Sequence, residues 1–158
     1  MFKWKSASSA QTKEIGRRLG EIVPAGTVLA LDGELGAGKT VFAQGVALGL
    51  GVEEQVTSPS FVLMHIYQGR LTFYHFDFYR LDEEAELESL GLEEYFDGEG
   101  IVVVEWAGKF SDVLPLARLD ITIVRDETGD EDARLLCVNP RGDLMIVILE
   151  EWSRRCCF

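Results

Sequence analysis

The run Gly33-Glu34-Leu35-Gly36-Ala37-Gly38-Lys39-Thr40 constrains this chain more than any other feature, because it satisfies G-x-x-x-x-G-K-[ST] at every fixed position. A loop of this kind works in one setting. Its glycines let successive backbone N–H groups turn inward as an anion nest, while the helix that follows presents its positive N-terminus to the same anion. The flanking residues supply that setting: Thr27 to Leu31 is a short apolar run suited to a buried strand, and Phe42, Val46 and Leu50 recur at helical spacing, with Gly51 as a C-cap. Strand, glycine loop and helix in this order predict a nucleotide-phosphate site. Gly33, Glu34, Leu35, Gly36, Ala37, Gly38, Lys39 and Thr40 are expected to contact the nucleotide, with Lys39 reaching the β- and γ-phosphates and the Thr40 hydroxyl ligating Mg²⁺.

Such a loop also needs a carboxylate at the end of a nearby strand to hold the metal or its water. Two residues qualify. Asp77 ends the β-branched and aromatic run Leu71 to Phe76, and Glu105 ends the all-apolar run Ile101 to Val104. Each would be delivered to the sheet edge where ligands bind in open α/β folds. Lys39, Asp77 and Glu105 are therefore the candidate catalytic residues, and Thr40, Asp77 and Glu105 the candidate metal ligands. One of the two acids is expected to coordinate Mg²⁺, directly or through water, and the other to orient or deprotonate the attacking water, with the assignment left open. Thr57, in Thr57-Ser58-Pro59-Ser60-Phe61, lies where nucleotide-switch proteins place the segment that senses the γ-phosphate, and is added to the nucleotide contacts. His75, inside an aromatic strand, reads as a packed, hydrogen-bonded core residue rather than a catalyst, and Trp106 as a packed residue rather than one stacked on a base.

The remaining chain supplies the scaffold. Ser8 with Gln11 resembles a capping box, and Ile15, Leu19, Ile22 and Val23 follow at helical spacing until Pro24-Ala25-Gly26 breaks the helix. Phe61 to Tyr67 and Leu71 to Phe76, joined by Gln68-Gly69-Arg70, predict an antiparallel hairpin. A helix is expected over Glu83 to Leu90, stopped by Gly91. Ile121 to Val124, Leu135 to Val138 and Met145 to Leu149 read as further strands, and the tail after about residue 150 as irregular. The expected fold class is α/β, a single P-loop NTPase-like domain over residues 1–158 with a mixed central sheet, the antiparallel hairpin and flanking helices.

Charge and composition exclude several classes of function. With 27 Asp and Glu against 15 Lys and Arg, the net charge is −12, which opposes strong unaided binding to RNA or DNA. Nine of those acids fall between Asp82 and Glu99 with no Lys or Arg among them, as a solvated helical face or a docking surface for a basic partner would have it. No apolar run approaches the roughly 20 residues of a membrane-spanning helix, no secretory signal is readable, and a cytoplasmic location is expected. Three cysteines, Cys137 and the adjacent Cys156 and Cys157, have neither a disulfide framework nor metal-ligand spacing.

Taken together, Leu35-Gly36-Ala37-Gly38-Lys39-Thr40, Ser58-Pro59-Ser60-Phe61, His75-Phe76-Asp77-Phe78-Tyr79-Arg80 and Glu105-Trp106 resemble one family. It is the bacterial tRNA threonylcarbamoyladenosine biosynthesis ATPases called TsaE, or YjeE. The resemblance spans roughly residues 6 to 125, and departs from the family only modestly at Val41 and Ser60. It implies a P-loop ATPase, with ATP or ADP and Mg²⁺ as ligands, that works with two partner subunits of the TsaB and TsaD type. These install a threonylcarbamoyl group on an adenosine of certain tRNAs, and the chain would be the energy-using accessory. Two other readings share the loop: a small-molecule P-loop kinase, and a non-catalytic module locked in shape by its nucleotide. A GTPase would be expected to carry an N-K-x-D guanine-reading motif, which Asn139-Pro140-Arg141-Gly142 does not supply.

Overall fold

A computed structural model describes residues 1–156. Seven strands among the described residues build one mixed sheet: β1 (Phe2–Ser6), β2 (Val28–Asp32), β3 (Met64–Gln68), β4 (Thr72–Asp77), β5 (Ile101–Glu105), β6 (Arg118–Arg125) and β7 (Arg134–Arg141). Their spatial order is β1-β7-β6-β2-β5-β4-β3. The central strands β6, β2, β5 and β4 run parallel, and β3, β7 and β1 add antiparallel edges. Around the sheet lie α1 (Ser9–Gly20), α2 (Lys39–Gly49), α3 (Glu84–Glu88), α4 (Leu92–Phe96), a 3-10 segment (Ala107–Val113) and α5 (Asp143–Arg155).

The strands β2 and β5 are apolar without alternation because both of their faces are covered. Leu29, Leu31, Ile101 and Val103 pack with residues of α1, α2 and α5, while Val28, Ala30, Val102 and Val104 pack with Leu87, Leu92 and Leu114 on the other side. Ser8 caps α1 by accepting from the Gln11 N–H at 3.1 Å, and the Gln11 side chain accepts from Ala7 N–H at 2.6 Å. Helices α1 and α2 touch backbone to backbone. A Cβ added at Gly45 would lie 2.0 Å from the Lys13 carbonyl oxygen, and one at Gly20 would lie 2.1 Å from that of Val46. This contact fixes how closely α2 lies against α1, and α2 opens with Lys39 and Thr40.

Several sequence expectations are corrected. Met145 to Leu149 is helical rather than a strand: Met145, Ile148, Leu149 and Trp152 are buried at helical spacing, whereas Leu144, Ile146 and Val147 are exposed. A five-residue apolar run is too short for its period to distinguish the two. The tail is not irregular after 150, since α5 runs to Arg155 and the Trp152 indole, fully buried, donates to the Ile15 carbonyl at 3.0 Å. Cys156 is buried, and Cys157 lies outside the described residues. The first hairpin arm starts at Met64, because Phe61 and Val62 sit in an exposed turn after Pro59 that ends on Leu63 at φ +68°. The helix expected over 83–90 is the shorter α3, and after Gly91 at φ +62° the chain forms α4. Strand β1 and the 3-10 segment carried no readable signal.

Candidate functional site

Strand β2 ends at Asp32, the glycine loop follows, and α2 starts at Lys39. Gly36 and Gly38 sit at φ +77° and +110°, a region that L side chains rarely adopt, so the loop path itself demands glycine there. The Lys39 ammonium is folded onto the loop. Its Nζ donates to the carbonyls of Gly33 at 2.6 Å and Glu34 at 2.9 Å, and lies 4.0 Å from the centre of the Trp106 ring. Burial pushes its pKa down, opposed by the nearby carboxylates of Glu105, Asp77 and Asp32.

Asp77 and Glu105 close adjacent parallel strands and stand opposite each other in the β4–β5 register. Both are almost wholly buried, at 3% and 2% exposure. Glu105 binds both ways across the site: Oε1 accepts from the Thr40 hydroxyl at 2.9 Å and from His75 Nε2 at 2.7 Å. Facing a carboxylate, which only accepts, His75 Nε2 is the donor of this bond, and Nδ1 has no hydrogen-bond partner among the described residues. Asp77 accepts from the Tyr79 backbone N–H at 2.8 Å and from the Ser58 hydroxyl at 3.2 Å. Burial raises its pKa above the ordinary carboxylate range, and the Glu105 charge adds to the rise, while the Tyr79 and Ser58 bonds oppose it.

These groups line a cavity of about 350 Å³ at the carboxyl ends of the central strands, walled by Leu35, Gly36, Gly38, Lys39, Thr40, Ser58, Asp77 and Glu105. Lys39, Thr40, Asp77 and Glu105, which are far apart in sequence, therefore meet at one place. Thr57 does not line it: the residue is exposed and its N–H donates to the Tyr67 hydroxyl at 3.3 Å, while Ser58 and Ser60 face the cavity. Sequence reading missed the contact of His75 with Glu105, and also Tyr79 and Arg80, which complete the wall. Arg80 stacks over the Phe61 ring at 4.0 Å, and Trp106 packs on Tyr79 with ring centres 4.9 Å apart, the packing role expected of it. The signal available was the motif from His75 to Arg80, whose alternate residues flank Asp77.

The donor set suits a hard cation. A hydroxyl and two carboxylates offer only oxygen atoms, and Mg²⁺ characteristically takes one or two protein carboxylates and completes its shell with water and phosphate oxygens. Among the described residues no group of three or more His, Cys, Asp or Glu side chains gathers around one point, so a dedicated all-protein cage is not what this site offers. No helix among the described residues is long and apolar enough to cross a membrane.

The chain as a whole is similar to known proteins. The profile of a family described as "Threonylcarbamoyl adenosine biosynthesis protein TsaE" matches residues 6–134. A tRNA threonylcarbamoyladenosine biosynthesis protein TsaE of Bacillus subtilis (strain 168) is 42% identical over 154 residues, covering 97% of this chain and 94% of that protein. A protein of the same description from Treponema pallidum is 41% identical over 118 residues, covering 75% of this chain and 87% of its own. The crystal structure of Bacillus subtilis YdiB superposes with a TM-score of 0.84 at 37% identity, over 98% of this chain and 95% of that one. The chain thus belongs to the TsaE family of threonylcarbamoyladenosine biosynthesis proteins.

Proposed function

We propose that this chain is a single P-loop NTPase-like domain that binds ATP with Mg²⁺ at Gly33 to Thr40 and hydrolyses it slowly. In this reading it is a cytoplasmic, energy-using accessory in tRNA threonylcarbamoyladenosine formation, acting on partner proteins of the TsaB and TsaD type. The observation that carries the reading is the convergence of Lys39, Thr40, Asp77 and Glu105 on one cavity at the carboxyl ends of parallel strands.

Each residue has a task its surroundings suit. Lys39 already spends its donors on the loop carbonyls, so a phosphate entering the nest offers the ammonium a stronger acceptor than Gly33 and Glu34 do. The Thr40 hydroxyl and the carboxylates of Asp77 and Glu105 are the groups that would hold Mg²⁺, which when bound would neutralise phosphate charge. The carboxylate not engaged with the metal orients the attacking water or takes its proton, and a buried acid whose pKa is raised, as that of Asp77 is, is tuned toward that work. His75 keeps Glu105 aimed at Thr40. The net charge of −12 argues that contact with tRNA is left to the partners. The sequence shows no arginine-finger motif, and Arg80 at the cavity wall is stacked on Phe61; an activating arginine supplied in trans is worth about 10³–10⁵ in rate, and without it the isolated chain would be slow.

The test is thermal melting with and without MgADP, joined to ATPase rates measured against increasing TsaB and TsaD type proteins. At a hundredfold excess over Kd the nucleotide should stabilise the parent by about 2.7 kcal/mol, and Lys39→Ala should lose that gain. Equal shifts in both proteins would count against the loop as the site. Nucleotide binding with no turnover, even with saturating partners, would favour the nucleotide-locked module instead.

A further inference from the structure

We infer that Arg134, the first residue of β7, is a positioning residue for the phosphate loop, holding the Ala37–Gly38 peptide so that its N–H faces the nucleotide. The inference rests on the proposal that the loop binds nucleotide phosphates. Arg134 contacts the loop from outside the lining of the cavity.

A peptide group in the trans form points its C=O and N–H in opposite directions, so whatever fixes the oxygen also fixes the hydrogen. Two cations bind carbonyl oxygens of this loop. Lys39 takes the oxygens of Gly33 and Glu34. Arg134 takes the next pair: its Nε donates to the Ala37 carbonyl at 2.8 Å, and Nη2 makes a longer contact of 3.4 Å to that of Gly36. The two peptides are not equivalent. The N–H paired with the Gly36 carbonyl belongs to Ala37, and it is already spent on the Glu34 oxygen at 3.0 Å. The N–H paired with the Ala37 carbonyl belongs to Gly38, the N-cap of α2, where the nest meets the helix N-terminus.

That peptide most needs holding. Gly38 is at φ +110°, and glycine resists a sideways rotation of its peptide less than any other residue. Arg134 supplies a rigid anchor, because the same guanidinium is itself fixed on the β6–β7 turn through Nη1 to the carbonyls of Glu131 at 2.7 Å and Ala133 at 2.9 Å. A fork that reaches the loop and the turn together is a task for arginine; a lysine ammonium carries the charge but lacks the planar spread. A cation on the oxygen also polarises the peptide, which strengthens the N–H offered on the far side.

The experiment is a titration of MgADP into the parent, Arg134→Met and Arg134→Lys, together with their nucleotide-free melting temperatures and amide exchange at Gly38. The expected result is an ADP Kd raised about tenfold in Arg134→Met, faster Gly38 exchange, and an intermediate Kd in Arg134→Lys. Nucleotide-free melting temperatures should stay close to the parent's. A parental Kd in Arg134→Met overturns the inference, and so does a lowered melting temperature with unchanged Kd, which would make Arg134 a tie for the turn alone. If Arg134→Met does not fold, Arg134→Lys decides: weakened ADP at a parental melting temperature supports the inference, and a parental Kd overturns it. Failure of the parent to bind MgADP would sink the nucleotide reading and this inference with it, which separates that outcome from a loss confined to the Arg134 variants.

Discussion

Gly45→Ala tests whether the seat of α2 is set by backbone contact with α1. In the interior of a helix, alanine is ordinarily better than glycine by about 1 kcal/mol, so propensity alone predicts a more stable protein. The structure predicts the reverse. The new Cβ would lie 2.0 Å from the Lys13 carbonyl oxygen, 2.9 Å from its carbon and 3.0 Å from the Arg17 nitrogen. All three atoms are α1 backbone, so no side chain can swing aside and the helices must part, by on the order of 1 Å, to reach ordinary contact distance. Overpacking of this kind costs about 1–3 kcal/mol, and the parting also loosens the contacts of Ile15, Leu19, Phe42 and Val46 between and beneath the two helices. After the propensity gain of about 1 kcal/mol the net loss is up to about 2 kcal/mol. For a chain of 158 residues that lowers the melting temperature by up to about 8 °C. Melting followed by circular dichroism checks it, with Leu48→Ala as a control at an exposed position of the same helix, expected to move little. A Gly45→Ala protein that melts above the parent, as propensity alone predicts, would refute the reasoning. Because α2 opens with Lys39, weaker MgADP binding should accompany the loss.

Three further predictions concern ionised groups. Asp77→Asn and Glu105→Gln should each lower ATP turnover far more than ADP affinity, measured with activating partners present; a variant that turns over at the parental rate takes its residue out of the mechanism. For Asp77 the pKa adds a sign: the folded chain holds this proton more tightly than the unfolded one, so its contribution to stability falls as pH rises through the raised folded value. Asp77→Asn should therefore melt no lower than the parent at neutral pH. Glu14 behaves oppositely. Arg17 and Arg18, with bonds of 2.7 Å and 2.9 Å, hold its pKa down to about 2 from 4.5, so its stabilisation is present above pH 4.5 and is lost as pH falls toward 2. Solvent screening keeps it to about 1 kcal/mol or less, and the melting deficit of Glu14→Gln should shrink across that window; a constant deficit would contradict the pairing.

What could be read from the sequence was what neighbouring residues decide together. The glycine loop, the strand before it, the helix after it and the acids ending two apolar runs are local patterns, each with a single physical reading. The extended hairpin and the mixed sheet followed from the same periodicities. Where a local pattern admitted two readings, only packing chose: Met145 to Leu149 is helical because Trp152 and its neighbours bury against Ile15 and the outer strands, which no five-residue window contains. Strand β1 exists because β7 pairs with it, residue for residue from Phe2 opposite Val138 to Ser6 opposite Arg134. The site divides the same way. Lys39, Thr40, Asp77 and Glu105 could be named from their places at the ends of elements, but the His75 bond to Glu105, the turn of Thr57 toward Tyr67 and the grip of Arg134 on the loop join residues 10 to 98 positions apart. Such pairs carry no mark in either residue's neighbourhood, because the energy that makes them is released only when the sheet brings distant strands to one edge.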